Sequence, residues 1–244
     1  MPEVGPYDGD LQPSDSNLAA RLNEVEARIA EAVKRAGYER SHVTLVAVTK
    51  KFSAGVIREG YQAGLREFGE NYVQEFSEKA PQLRDLNGTR YHLIGHLQSN
   101  KVRPAIELFQ LIQTIDSVKL IERLDRAAGE LGKKIEALLE IKLSEEPNKT
   151  GASPQDVPKL LDAASQCANT RITGLMTVPP WSENAELSRP HFRRLAELAQ
   201  KYGLKQLSMG MSNDFEVAIE EGATIVRVGT ALFGPRPKPA VPQT

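Results

Sequence analysis

The pattern of apolar and polar positions divides the chain into short apolar runs separated by segments with helical spacing. Eight runs have the length and composition of buried strands, and they are "VTLVAVTK", "REFGEN", "YHLIGH", "LIQTID", "EALLEIKL", "ITGLMTV", "QLSMGMS" and "TIVRVGT". Between these runs, apolar residues recur at intervals of three and four, as on one face of an amphipathic helix. Such alternation of strand and helix is typical of a parallel sheet.

The number of alternating units predicts the fold. Eight strands and eight helical segments within about 200 residues fit an α/β protein of the (β/α)8 TIM-barrel type with a single domain. An open doubly wound sheet is the alternative, because a weak run such as "REFGEN" is easily miscounted. An extra helix is expected before the first strand, where apolar residues repeat at Leu18, Leu22, Val25, Ile29 and Val33 and Gly37 follows as a helix end.

Two terminal segments differ from the barrel in composition. Residues 1–15 are rich in Pro, Gly and Asp without periodicity, which predicts a flexible N-terminal arm. Residues 237–244 belong to a Pro-rich stretch and are expected to form a disordered tail. The barrel domain is therefore predicted to span residues 16–236, and few residues remain after it for a second domain.

Composition and charge restrict the classes of partner. The 244 residues include 31 Lys and Arg against 32 Asp and Glu, a net charge of −1, with no basic block to favour nucleic acid or a membrane surface. The single cysteine, Cys167, excludes an internal disulfide, and the four histidines lack metal-ligand spacing, so no metal site is expected. No N-terminal apolar stretch resembles a signal peptide or a membrane span, which makes the cytoplasm the expected location.

A lysine ends the first apolar run, in "VTLVAVTKKF". Lys50 falls at the carboxyl end of the predicted first strand, where barrel proteins build their sites. Desolvation there lowers the pKa of an amine and makes it a nucleophile towards carbonyl carbons. Lys51 competes for this role, but alternation along a strand allows only one of the two to face inward, and we assign Lys50. A surface lysine that ends the strand remains the alternative.

The last two predicted strands lead into loops that suit an anion. Ser208 lies in the seventh run, and Ser212 is predicted to cap a short helix that ends at Gly222. Gly229 and Thr230 directly follow the eighth strand, where the missing side chain of glycine lets backbone N–H groups approach a ligand. Loops after strands seven and eight of (β/α)8 barrels commonly hold a phosphate, so these loops together predict an anion site.

Two charged residues within predicted strands need partners. Arg227 lies between valines in "VRVGT", and a buried arginine requires an acceptor, either in a structural salt bridge or on a ligand heteroatom. Glu70, in "GENY", is either a general base or, as we favour, a carboxylate hydrogen-bonded at the barrel rim. Both residues are expected near the barrel mouth, the carboxyl end of the strands.

With these motifs assembled, the chain resembles the pyridoxal phosphate homeostasis protein family, single-domain barrels related to the N-terminal domain of alanine racemase. The resemblance covers about residues 16 to 236 and rests on "AVTK" (47–50), "FGENYVQE" (68–75), "YHLIGHLQSNK" (91–101), "TIDS" (114–117), "KTG" (149–151), "GLMTV" (174–178) and "SMGMSNDFEVAIEEGATIVRVGTALFG" (208–234). The long final block is the most specific of these motifs.

The resemblance implies a cofactor and the residues that hold it. Lys50 would form an internal aldimine, a Schiff base, with pyridoxal 5′-phosphate (PLP). Ser208, Gly229 and Thr230 would hold the phosphate, with Ser212 nearby. Arg227 would face the pyridine nitrogen. Asn71 and Met209 would line the cofactor.

Three functions use this lysine. The resemblance implies a non-catalytic protein that carries PLP, contributes to the homeostasis of free PLP and serves PLP-dependent apoenzymes as recipients, and we expect it to be a monomer. The alternative is a PLP-dependent amino-acid racemase or lyase. Inversion at Cα requires a base on each face of the carbanion, and Lys50 can serve only one. A Schiff-base aldolase acting on a sugar phosphate without a cofactor is a third, weaker hypothesis.

Overall fold

The computed structural model describes residues 15–144, 146 and 150–235. The predicted arm and tail lie outside the described residues, apart from Asp15, which is the first residue of a helix rather than part of an arm. Lys149 of the "KTG" motif also lies outside them.

Eight parallel strands close into a barrel in sequence order. The strands, β1 to β8, are Thr44–Val48, Glu67–Glu70, Arg90–Leu93, Leu111–Ile115, Ile135–Glu140, Thr170–Met176, Gln206–Met211 and Ile225–Val228. Each overlaps one of the eight predicted runs, including the weak "REFGEN", although β3, β5 and β6 begin one or two residues before the predicted run. The (β/α)8 prediction is therefore confirmed, and the open sheet is excluded because β8 pairs with β1, with Val46 opposite Arg227.

Nine α-helices surround the sheet in the described residues. These helices, α1 to α9, are Asp15–Arg35, Ala54–Gln62, Val73–Lys79, Val102–Leu108, Val118–Glu130, Val157–Ser165, Arg189–Lys201, Phe215–Glu220 and Thr230–Phe233. Short 3-10 turns lie at Arg40–His42, Ala80–Leu83, Ser99–Lys101, Pro154–Asp156 and Ala185–Ser188. No helix in this part of the chain is both long and apolar enough to cross a membrane.

The predicted extra helix is α1, which precedes β1. Its apolar stripe is buried, with Val25 and Ile29 at most 1% exposed, and Gly37 follows in a left-handed conformation at φ 74°. The helix packs against α8 and α9, the last two helices among the described residues. The extra helix therefore covers the region where the first and last βα units meet.

Alternation along the strands produces two apolar layers. One set of side chains packs outward against the helices, and the other fills the barrel centre with Val46, Leu111, Leu138, Met176 and Ile225. Further along the strands, towards the barrel mouth, the inward positions become polar, and the candidate site begins there.

Candidate functional site

Lys50 lies in the turn that directly follows β1. The strand ends at Val48, and the hydroxyl of Thr49 donates to Glu70 Oε1 at 2.8 Å on the helix side of the sheet. Lys50 lies in the turn that follows and is half-buried. Lys51 is exposed, and the assignment of Lys50 as the inward-facing lysine of the pair stays a prediction.

Residues of α3 form hydrogen bonds with the backbone of the turn that contains Lys50. Lys51 adopts φ 65°, a conformation that non-glycine residues rarely adopt, and its N–H donates to Glu75 Oε1 at 2.5 Å. The ammonium of Lys79, a residue only 7% exposed, donates to the carbonyl oxygen of Thr49 at 3.1 Å. Both backbone groups that flank Lys50 are thus fixed by residues of one helix.

Lys79 also joins the two carboxylates beside this turn. Its ammonium lies 2.8 Å from Glu70 Oε1 and 2.6 Å from Glu75 Oε1. Burial raises the pKa of Glu70, and the positive charge of Lys79 opposes that rise. Glu70 is therefore the hydrogen-bonded rim carboxylate that the sequence favoured. Lys79 was missed, because its i,i+4 spacing from Glu75 resembles an ordinary exposed ion pair.

Two backbone N–H groups, those of Gly229 and Ala231, converge with the Ser212 hydroxyl after β8, and we call these three groups the cradle. The N–H groups of Gly229 and Ala231 both point to the hydroxyl oxygen of Ser212, at 3.2 and 3.4 Å. Ser212 does not cap α8, contrary to the prediction, because that helix begins at Phe215, three residues further along, and Asp214 occupies the N-cap position. Two converging N–H donors and a hydroxyl suit the oxygen atoms of a phosphate.

The cradle lies beside the end of β1. A Cβ atom on Gly229 would lie 3.3 Å from Cβ of Val48, so glycine allows the two loops to approach closely. Thr230 is exposed at the first position of α9. This places the cradle at the barrel mouth next to Lys50, two residues beyond Val48.

Two predicted contacts lie elsewhere in the structure. Ser208 has no exposed surface, and its hydroxyl is bonded to Gln113 and Arg227 inside the barrel rather than to the phosphate-type loops. The side chain of Met209 is also fully buried, in the layer between sheet and helices, so it faces away from the barrel interior. Both corrections follow from alternation, because adjacent strand residues face opposite sides of β7.

Arg227 points into the barrel from β8. The guanidinium group, on a residue 4% exposed, donates to Ser208 Oγ at 2.6 Å and to the carbonyl oxygen of Thr177 at 2.9 Å. Both acceptors are neutral, while the charges of Asp214 and Glu140 act from further away. Burial lowers the pKa of Arg227 to about 10, so the group is still a cation at neutral pH.

Besides Oε2 of Glu70, two further buried oxygen atoms near the mouth lack hydrogen-bond partners among the described residues. They are Oδ1 of Asn71, which directly follows β2, and Oε2 of Glu140 at the end of β5. Glu140 Oε1 accepts from the Thr150 hydroxyl at 2.9 Å, and burial raises the pKa of the carboxyl group. Unpartnered buried acceptors indicate a ligand with its own donors or ordered water.

The donor set fits a phosphorylated pyridine aldehyde such as PLP. An amine at a strand end suits the aldehyde, and the N–H cradle suits the phosphate. A guanidinium group in the barrel suits the ring nitrogen, and an unpartnered amide oxygen remains at the rim. The observation that carries this fit is the close approach of the cradle to the end of the strand that bears Lys50.

Comparison with known proteins is consistent with this chemistry. Residues 21–237 match the family model described as "Alanine racemase, N-terminal domain". The pyridoxal phosphate homeostasis protein of Pseudomonas aeruginosa is 43% identical over 223 residues, which cover 91% of this chain and 96% of the relative. The protein of that name from Aquifex aeolicus is 42% identical over 226 residues, 90% of this chain and 99% of the relative.

Solved structures show the same barrel. PipY of Synechococcus elongatus without PLP has a TM-score of 0.79 at 43% identity, and its structure with PLP bound has 0.77 at 42% identity. Each match covers 89% of this chain and all of the PipY chain. Alanine racemase of Clostridium difficile, at 14% identity and a TM-score of 0.69, covers 91% of this chain and 57% of the racemase, a likeness of fold alone.

Proposed function

The chain belongs to the pyridoxal phosphate homeostasis protein family, and from this premise we propose that it binds PLP and contributes to the homeostasis of the free cofactor without turnover of its own. The observation that carries the proposal is the contact between the two halves of the site. Gly229 of the N–H cradle approaches Val48, two residues before Lys50. A ligand with a phosphate and an aldehyde on one small ring can reach both.

Each part of the site has a proposed task. PLP supplies an aldehyde that reacts with primary amines, and Lys50 is the proposed point of covalent attachment. The N–H groups of Gly229 and Ala231, with the Ser212 hydroxyl, bind the phosphate, and Thr230 lies beside it. Asn71 presents its unpartnered amide oxygen at the rim.

Arg227 determines how the ring nitrogen is held. Arginine has only donors, so a nitrogen lone pair that faces Arg227 accepts a hydrogen bond and stays unprotonated. An unprotonated ring is a weaker electron sink than one paired with a carboxylate. The arrangement therefore favours a protein that holds PLP over a racemase or lyase that depends on rapid carbanion formation.

Borohydride labelling tests the proposal. Purified protein loaded with PLP should absorb in the visible range, and reduction should abolish this band and fix a pyridoxyl group on the peptide that contains Lys50. Lys50→Ala should lose the label, while Lys51→Ala, the matched control, should keep it. A label on Lys51, or a protein that takes up no PLP, would contradict the assignment.

We further propose that the loaded protein delivers PLP to PLP-dependent apoenzymes, as a monomer in the cytoplasm. Mixing loaded protein with an apoenzyme and following the recovery of enzyme activity measures this transfer. Light scattering of the purified protein measures its mass in solution. No transfer above the rate expected from spontaneously released PLP would argue against delivery.

A further inference from the structure

A continuous chain of hydrogen bonds runs through the barrel from its amino end to Arg227. Glu67 Oε2 lies 2.5 Å from His92 Nε2, and His92 Nδ1 lies 2.8 Å from Gln113 Nε2. Gln113 Oε1 lies 2.6 Å from the hydroxyl oxygen of Ser208, which in turn lies 2.6 Å from Arg227 Nη1. Four contacts thus join side chains from β2, β3, β4, β7 and β8.

The residues of this hydrogen-bond chain are buried along most of its length. His92 is 1% exposed, Gln113 and Ser208 are fully buried, and Arg227 is 4% exposed. Hydrogen bonds in such an environment are strengthened, and neighbouring bonds polarise one another. Loss of a hydrogen bond at one end of this series is therefore expected to alter the neighbouring bonds.

The chemistry of the groups fixes the direction of every bond. Arg227 can only donate, so the oxygen of Ser208 accepts from it, and the Ser208 hydrogen is directed to Gln113 Oε1. The amide nitrogen of Gln113 then donates to His92 Nδ1, and His92 Nε2–H donates to the Glu67 carboxylate. Each donor meets an acceptor in this arrangement of the Gln113 amide and the His92 ring.

The hydrogen-bond chain ends at Glu67 in a cluster of charged residues near the amino ends of the strands. Arg90 lies 3.8 Å from Glu67 Oε1 and also 3.8 Å from Glu136 Oε2, and Arg171 pairs with Glu136. These residues come from β2, β3, β5 and β6, and Glu67 itself contacts Arg90 and His92, both of β3. This cluster gives His92, and through it Gln113, a fixed position.

We propose that His92 and Gln113 are positioning residues that act through Ser208 to fix Arg227 in the orientation in which it meets the cofactor ring. The hydrogen-bond chain explains why the Ser208 hydroxyl contacts Arg227 rather than the proposed phosphate site. The part of the inference that concerns the cofactor rests on the proposed function. The part that concerns Arg227 itself does not depend on any ligand.

Substitutions interrupt the chain at different bonds. Ser208→Ala removes the hydroxyl next to Arg227, Gln113→Met replaces the amide by an apolar side chain of similar length, and His92→Phe keeps a ring without nitrogen. Ser208→Thr retains the hydroxyl and should restore the link. Thr170→Val is the matched control, a buried hydroxyl of β6 that makes no hydrogen bond among the described residues. Circular dichroism confirms that each variant is folded.

The first measurement uses protein without cofactor. In nitrogen-15-labelled protein, the Arg227 Nε–H signal is assigned by its loss in Arg227→Lys. It should move or disappear in Ser208→Ala, Gln113→Met and His92→Phe, and stay close to the wild-type position in Ser208→Thr and Thr170→Val. A signal unmoved by both Gln113→Met and His92→Phe overturns the inference. If one of these two variants does not fold, the other decides.

The second measurement uses protein loaded with PLP. The visible band should be displaced, and PLP should bind about tenfold more weakly, in each interrupting variant but not in Ser208→Thr or Thr170→Val. Wild-type protein that takes up no PLP would refute the proposed function, and the Arg227 signal would still decide the hydrogen-bond chain. Bound PLP with an unchanged band and affinity in all interrupting variants would overturn the cofactor part alone.

Discussion

The ammonium group of Lys79 lies 3.1 Å from the carbonyl oxygen of Thr49, the residue directly before Lys50. A buried amine thus supports the backbone of the lysine proposed to react, and it does so from the helix side of the sheet. The two lysines are 29 residues apart in sequence, and α3 brings Lys79 to the turn that contains Lys50.

Lys79→Met should destabilise the protein strongly. The substitution leaves Glu70 and Glu75 without their cation, and removal of one partner from a buried pair costs about 3 to 5 kcal/mol. The double variant Lys79→Met/Glu70→Gln should recover part of the loss. Urea unfolding measures both. Lys133→Met, an exposed lysine that donates to one carbonyl group, should change the free energy of unfolding by less than about 0.5 kcal/mol. Equal losses at the two positions would contradict the role of Lys79.

Gly229→Val should weaken PLP retention more than Ser212→Ala. The valine side chain fills the space beside Val48, which a Cβ atom alone would approach to 3.3 Å, whereas the alanine removes one hydroxyl worth about 1 kcal/mol. Dialysis followed by absorbance of the retained cofactor ranks the variants. Ser165→Ala, a change to an exposed serine of α6, should retain PLP like the wild type. Equal retention in both site variants would be evidence against the cradle.

Gly95→Ala should disturb the loop that carries Asn71. A Cβ atom on Gly95 would lie 2.3 Å from the Asn71 carbonyl oxygen, so the backbone of one loop has to move. Gly88→Ala is the control, with φ 75° and no neighbour within 4 Å, and its strain should cost about 1 to 2 kcal/mol. We expect a larger loss of stability for Gly95→Ala and, in addition, weaker PLP binding. Unimpaired PLP binding would show that Asn71 does not line the cofactor.

Glu140→Gln should change how stability depends on pH. Burial raises the pKa of folded Glu140 above its ordinary value of 4.5, so between these two values the native state binds more protons than the unfolded state. Wild-type stability from this group is therefore full at low pH and falls as pH rises through that window. Relative to wild type, the free energy of unfolding of Glu140→Gln should rise with pH in the same window. Glu107→Gln, at an exposed position, should show no such trend.

Saturated protein should not racemise amino acids at an enzymatic rate. In the proposed site Arg227 would leave the ring nitrogen unprotonated, and Lys50 would serve one face of a carbanion only. Incubation with L-alanine and other L-amino acids in deuterated water, scored for D-isomers and for exchange at Cα, measures this. Turnover on the order of 1 per second or faster, abolished by Lys50→Ala, would establish an enzyme instead.

The sequence predicted the strands well because each is buried on one or both sides and reads as an apolar run. Even "REFGEN" was placed correctly, since Phe68 alone carries its outward packing. The position of Lys50 followed from the same run. The sequence did not show which residues support that lysine, because α3 reaches it only after the chain has folded.

The serines of the final block show where pattern alone fails. Ser208 and Ser212 are four residues apart, yet one lies inside the barrel and the other in the cradle. Between them Gly210 adopts φ 89°, and a Cβ atom there would lie 2.6 Å from Cβ of Ala218. The pairing of β7 with β8 is irregular over the same residues. Such a change of direction depends on packing against α8, which a single sequence does not reveal.

Closure of the barrel by β1 and β8 has a consequence for the synthesis of the protein on the ribosome. Lys50 is made long before Arg227, Gly229 and Ala231, because about 180 residues separate the two sides of the proposed pocket. Contacts this distant in sequence form late in folding. A nascent chain would therefore expose the amine proposed to react before the proposed phosphate site exists, and stable binding of PLP would have to follow the synthesis of β8.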